Sequence, residues 1–418
     1  AERVNLRPGD GRWLLGRGFD QELLAEGRWP TREDLDAVSP DVPLRISRVC
    51  GHALVANTTA LRAACLDAES NSSGLPAGVL TETAMSPIFD AVPEPSATEW
   101  LEAARWACAE AARVGFVGVH SLMADTAEVR ALIDLHREGA LPVRVQMQLP
   151  FALLEQARQA GLRSGFGDEY LQYGAIKLFG DGSLGARTAA LLDPYSDDPA
   201  TSGELIHEPE ELNSRVRQIV EAGFQPCIHA IGDRAMDAAL DAIELAGRAP
   251  DLTPVPSARI EHASLVSPRI IQRMRDLGVG AAVQPQFVRS DPWMADRLGA
   301  ERARYAYAFR TMWQAGVPLA GSTDCPVEEL DAMAAIGQMV YRPEWASSEA
   351  LPLAAALRIF SEGSYAVRGC APEAGRLAPG GYADFVVLDR DPRAVTPEEI
   401  ETVEVAMTVV GGEVRYAR

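Results

Sequence analysis

Seven short apolar runs rich in β-branched residues, each followed by a stretch of helical periodicity, repeat through the central part of this chain. They read FVGVHSL (116–122), PVRVQMQL (142–149), GAIKLFG (174–180), QPCIHAI (225–231), ARIEHAS (258–264), VGAAVQP (279–285) and VPLAGST (317–323). Near-continuous apolar strands are covered on both faces, and strands alternating with helices pair in parallel, because a parallel neighbour is reached only by a crossover. The pattern predicts an α/β fold of repeated βα units. The intervening helices carry their own signals: EPEELNSRVRQIVEAG (208–223) opens on acids and stops at Gly223, and SPRIIQRMRDLG (267–278) places Ser267 as N-cap.

A (β/α)8 TIM barrel closes with eight strands, and seven leave two bare edges. The segment PLRISRVCGHALVANTTALRAA (43–64) holds a strand and a helix of its own, and could supply the eighth unit or belong to an insertion of about residues 1–100. The tail changes character. GRLAPGGYADFVVLDRD (375–391) and VEVAMTVVGGEVRYAR (403–418) read as β-structure, with Gly411 and Gly412 between two strands. So small a sheet is marginal alone and is expected to pair with other strands. Residues 1–368 are therefore assigned to the barrel with its insertion, and 369–418 to the C-terminal part of a small second domain.

With 418 residues, 47% of them apolar, the chain can bury a large core. Its net charge of −20 opposes binding to nucleic acid or anionic membrane, which leaves a small-molecule substrate as the expected partner. The six cysteines, Cys50, Cys65, Cys108, Cys227, Cys325 and Cys370, show no Cys-x-x-Cys spacing, so reduced thiols are expected rather than a zinc ribbon or a disulfide framework. No apolar run approaches the roughly 20 residues of a membrane span, and the first residues lack a signal-peptide stretch; a cytoplasmic location is expected.

Placed on the predicted strands, Lys177, His229, His262 and Asp324 each fall in or at the C-terminal end of a different parallel strand. That end is where barrel enzymes build their sites, and imidazoles with a carboxylate suit a zinc-like divalent cation. Each residue also has a plain alternative. His229 could be a core histidine bonded to backbone, and His262 could be satisfied by Glu261 or Arg259. Asp324 could cap the following helix, and Lys177 could pair with Asp181. Four such residues on four strands favour the shared site. Arg187, in GSLGARTAA, fits an anionic substrate group and equally a surface loop. His52 and Asn57, in CGHALVAN, fit a pocket lining or a capping role, while His120, Gln284 and Glu328 lie near strand ends without further distinction.

The blocks GRGFD, PTREDLDAVSPDVPLRISRVCGHALVANTTAL, IKLFGDGSLGARTAAL, IHAIGDRAMDAALD, RIEHA, VQPQF, GSTDCPVE and GRLAPGGYADFVVLDRDP, in that order, resemble the amidohydrolase superfamily. The resemblance is nearest to its amidohydrolase-3 branch, which includes N-substituted formamide deformylases, and it covers nearly all of the chain. It implies a distorted (β/α)8 TIM barrel with a small β-sandwich assembled from both chain termini. It also implies upstream segments, namely the first sandwich strands and a barrel strand ending in His-x-His. The six histidines are His52, His120, His136, His207, His229 and His262, so no His-x-His stands here, and upstream residues carrying it are expected. FVGVHSL then corresponds to strand two.

By this resemblance Lys177 is a carboxylated lysine bridging two metal ions, His229 and His262 hold one of one or two zinc-like ions per chain, and Asp324 is both ligand and proton shuttle. Burial favours the neutral, nucleophilic amine that carbon dioxide needs. His52, Asp181, Arg187 and Gln284 are the weaker substrate-binding candidates. The implied reaction is cleavage of an amide or formamide C–N bond by metal-activated hydroxide, with a homodimer as the expected assembly. Two alternatives stand beside it: a catalytically silent ligand-binding member of the same fold, and a metal-free lyase or isomerase using Lys177 as Schiff-base nucleophile.

Overall fold

The computed structural model describes residues 12–72, 74–123, 126–247, 258–370 and 372–418. It divides into two compact units, Ala1–Ser96 and Ala97–Arg418. The first holds a four-stranded mixed sheet: β1 (Leu14–Phe19) runs parallel to β2 (Leu44–Arg48), and β3 (Ala53–Ala56) and β4 (Val79–Thr81) continue it antiparallel. All four residues of β3 are buried, and Leu54, Leu61 and Ile88 form the centre of a local core.

In the second unit the seven predicted strands form one parallel sheet in chain order: β5 (Gly118–Leu122), β6 (Arg144–Pro150), β7 (Leu171–Phe179), β8 (Gln225–Ala230), β9 (Arg259–His262), β10 (Gly280–Val283) and β11 (Leu319–Gly321). Consecutive strands are neighbours, each joined to the next through at least one helix, as a parallel pair requires. One side-chain contact shows that the sheet is curled. Arg259 of β9 reaches His120 of β5, Nη1 to Nδ1 at 2.7 Å. Four strand steps would separate these residues by about 19 Å in a flat sheet, beyond what the two side chains can bridge. The concave face is thus the inside. Among the described residues no strand pairs with the outer edges of β5 and β11.

Helices cover the convex face with the apolar stripes the sequence predicts. Pro209–Glu221 buries Leu212, Val216, Ile219 and Val220, and Pro268–Leu277 buries Ile270, Ile271 and Met274, each worth about 2 kcal/mol on burial. Ser267 caps the latter through Ile270 N at 3.2 Å, and Gly278 ends it at φ 66°, where a side chain would be strained.

The tail forms a three-stranded antiparallel sheet, β12 (Phe385–Leu388), β13 (Val405–Val410) and β14 (Glu413–Ala417). Gly411 and Gly412, at φ 62° and 79°, make the two-residue turn. Arg144, the first residue of β6, fixes this sheet: its guanidinium meets both oxygens of Asp384 at 2.6 and 2.9 Å and stacks on Tyr170 and Tyr382. The anchor lies at the N-terminal end of β6. The C-terminal ends of the strands therefore remain for the loops that carry chemistry. Among the described residues no helix is long and apolar enough to cross a membrane.

Candidate metal centre

Strand register sets the first part of the site. Lys177 pairs across to Cys227 and Cys227 to Arg259; two residues on, Phe179 pairs to His229 and His229 to Glu261. Side chains alternate along a strand, so all six share the face that Arg259 identifies as the inside. Lys177 is 8% exposed, its Nζ 4.9 Å from the centre of the Phe179 ring.

His262 follows Glu261 directly, and regular alternation would turn it outward. Its φ is 78° and that of Ala263 is 47°. This reversal ends β9 and brings the His262 ring edge-on to His229, centroids 4.4 Å apart. A left-handed conformation in a residue with a Cβ costs of order 1–3 kcal/mol and is retained where position matters. Asp324, just past β11, stands at φ 55° and shares the feature.

Hydrogen bonds fix the tautomers of both imidazoles. Gln284 donates its Nε2 to Ala282 O at 3.1 Å, so the amide oxygen is the atom facing His262 Nδ1 at 2.9 Å. An oxygen only accepts, hence His262 carries its proton on Nδ1 and its lone pair on Nε2. His229 Nε2 lies 3.0 Å from Gly182 O and 3.4 Å from Asp181 Oδ1, both acceptors, so its proton sits there and its lone pair on Nδ1. Burial lowers the pKa of His262, with Asp324 opposing and Lys177 adding to the shift. Neutral imidazoles with locked tautomers are the form that binds a divalent cation. Among the described residues no three His, Cys, Asp or Glu side chains form a metal-ligand cluster. The donors brought together are the two imidazoles, with the Asp324 carboxylate and the Lys177 amine close enough to act electrostatically on His262. That donor set fits a nitrogen- and oxygen-liganded ion.

The plain alternatives resolve individually. The cap of helix Ala332–Val340 is Asp331, which accepts from Ala334 N at 2.9 Å, so Asp324 has no capping duty there. Asp181 meets His229 rather than Lys177. It is fully buried and accepts from Ala190 N, Ile231 N and Gly232 N at 2.8 to 3.0 Å, the work of an anchor between the loops after β7 and β8. Arg187 pairs with Asp197 at 2.8 Å, and Asp197 also takes Arg297. Gln284 orients His262, as above. His52 lies in the first unit, Nδ1 3.0 Å from Glu82 Oε2, and Asn57 caps helix Thr58–Ala63 while donating to Ser39 O and Val42 O.

Sequence reading offered Arg259 and Glu261 only as alternative partners of His262 and did not foresee the charged layer they form beneath the site. Arg259, 1% exposed, pairs with Glu261 at 2.8 Å, and the Cys227 thiol donates to Glu261 Oε1 at 2.8 Å. Burial would raise the Glu261 pKa, but Arg259 and Lys177 hold it at about 2. Burial pushes Cys227 up to about 12, and burial with Arg259 and Arg368 nearby holds His120 well below 6.5. The available signal was the R-x-E spacing, two charges on one face of an otherwise apolar strand.

A family model described as "Amidohydrolase family" matches residues 2–416. YtcJ of Bacillus subtilis (strain 168), which bears the name amidohydrolase, is 32% identical over 97% of this chain and 80% of its own length. The N-substituted formamide deformylase of Arthrobacter pascens is 27% identical over 98% and 80%. The crystal structure of an uncharacterised metal-dependent hydrolase from Pyrococcus horikoshii OT3 superposes with a TM-score of 0.78 at 35% identity, covering 93% of this chain and 79% of that one.

Proposed function

This chain belongs to the amidohydrolase family of hydrolytic enzymes, and we propose that it cleaves an amide or formamide C–N bond of a small molecule with the help of a divalent, zinc-like cation. The observation that carries the reading is the pair of buried imidazoles, His229 and His262, edge-on with centroids 4.4 Å apart and with tautomers locked. Metal-dependent relatives support the ion, and the deformylase supports the bond type. We further propose that the sheet of seven is part of a closed eight-stranded barrel and that the small sheet belongs to a β-sandwich.

His229 and His262 would hold the ion, with Lys177 and Asp324 completing the donor set from this chain. Bound there, such an ion polarises the substrate carbonyl and makes a water acidic enough to ionise near neutral pH. The protein's own residues do the rest. Asp324 takes the proton from the attacking water on its carboxylate and returns it to the departing nitrogen, so the C–N bond breaks as the amine leaves neutral. Gln284 and Gly182 keep the two imidazoles from turning. Phe179 and Phe287 flank them, with Phe287 stacked on His262 at 6.2 Å. Lys177, in the neutral form, would add to carbon dioxide and release a proton, giving a carbamate that serves as an additional oxygen ligand.

The test is a screen of N-formyl and N-acyl amines with zinc-loaded protein, wild type against Asp324→Asn. Amine release by the wild type, with loss of turnover but retained zinc in the variant, is expected. Full activity in the variant defeats the assignment of Asp324, and no hydrolysis of any amide by the wild type defeats the proposed reaction.

A further inference from the structure

We propose that Glu328 selects substrates that carry a protonated amine or comparable N–H donor away from the scissile bond. The inference rests on the proposed reaction and adds the substrate class. Glu328 stands four residues beyond Asp324, where the chain folds back through a turn closed by Val327 N to Asp324 O at 2.8 Å. Its carboxylate is half-buried and held from one side only: Ser290, at the end of helix Phe287–Ser290 after β10, donates its hydroxyl to Oε1. Among the described residues Oε2 has no hydrogen-bond partner. Arg289, the nearest cation on that helix, is directed instead to Glu401 at 2.9 Å. Burial together with the charges of Glu329 and Asp324 makes Glu328 a harder place for a lone negative charge, against the help of Ser290 and Arg289.

A second observation comes from Gln286, only 2% exposed. Its Nε2 donates to Glu329 O at 3.3 Å, so the amide lies against the segment that carries Glu328, yet its Oε1 has no hydrogen-bond partner. A buried acceptor left without a donor costs about 1–3 kcal/mol, and a bound water, ion or ligand group is among the things that satisfy such an atom. The loops after β10 and after β11 thus carry two acceptors with no matching donor among the described residues, the half-buried Glu328 carboxylate and the buried Gln286 Oε1. An ammonium group, with three donors and a positive charge, complements the Glu328 carboxylate. A carboxylate or phosphate would meet the Glu328 charge with only Arg289, itself paired to Glu401, to offset it.

The experiment compares three acetamides of similar length, mono-N-acetylputrescine (cationic), N-pentylacetamide (neutral) and acetylated γ-aminobutyrate (anionic). Binding is followed by calorimetry on wild type, Glu328→Gln and Ser290→Ala, with melting curves to establish folding, and amine release is assayed in parallel. Wild type is expected to bind the cationic ligand about tenfold tighter than the neutral one. Glu328→Gln should bring that ratio toward one, and Ser290→Ala should weaken the cationic ligand alone. An unchanged ratio in Glu328→Gln, no cationic preference in the wild type, or no measurable binding of the cationic ligand overturns the inference. Hydrolysis without cationic preference refutes only the role of Glu328, whereas cationic preference without hydrolysis of any amide refutes the proposed reaction.

Discussion

Replacing Arg259 with methionine isolates the charged layer under the site. The substitution keeps most of the volume but removes the guanidinium paired with Glu261, at 2.8 Å, and the donor to His120 at 2.7 Å. Arg259 and Lys177 hold Glu261 at about 2, well below the ordinary 4.5 despite its burial, which corresponds to a stabilisation on the order of 3 kcal/mol. Breaking one half of a buried pair costs a comparable ~3–5 kcal/mol, because the remaining charge has lost water and partner together. The sign with pH follows from the direction of the shift. A carboxylate whose folded pKa is depressed stabilises the fold above its unfolded pKa and stops doing so as pH falls from about 4.5 toward 2. Urea unfolding at pH 7, followed by fluorescence, should place Arg259→Met lower by about that amount. Adding Glu261→Leu should recover half or more of the loss, since an apolar pair needs no compensation. A single variant costing under about 1 kcal/mol, or a double variant no better than the single, would refute the reasoning.

Gln284→Leu should weaken zinc binding about 10–100-fold by releasing the His262 tautomer, measured by competition with a chromogenic chelator; unchanged affinity would show that Gln284 does not orient the ligand. In the native protein a maleimide should label exposed Cys65 and Cys370 and spare Cys227 and Cys108, whose thiols burial pushes up to about 12 and 11. Mass spectrometry of the digested adduct checks this, and rapid labelling of Cys227 would mean that the layer beneath the site is open to solvent.

Much of this architecture could be read locally. The seven strands, their chain order, the Ser267 cap and the glycine hairpin of the tail each depend on a few adjacent residues, and each stands where the periodicity put it. Lys177, His229 and His262 were all singled out by their places in or at the C-terminal ends of predicted strands. How His262 turns inward was not legible, because alternation sends it outward and only the positive φ after Glu261 brings it in. Asp181 was a harder case still. Its backbone partners come from a loop 9 residues away and another some 50 away, and no local pattern encodes them. The same limit hid the pairing of Arg187 with Asp197 and the contact of Arg259 with His120, 139 positions apart, which exists only once the sheet has curled.

Anomalous diffraction at the zinc edge, on crystals of the protein purified without chelator, reaches the central claim most directly. The account predicts a peak bonded to His229 and His262, removed by chelation together with amide hydrolysis. No peak between those two rings, with hydrolysis undiminished after chelation, would contradict it.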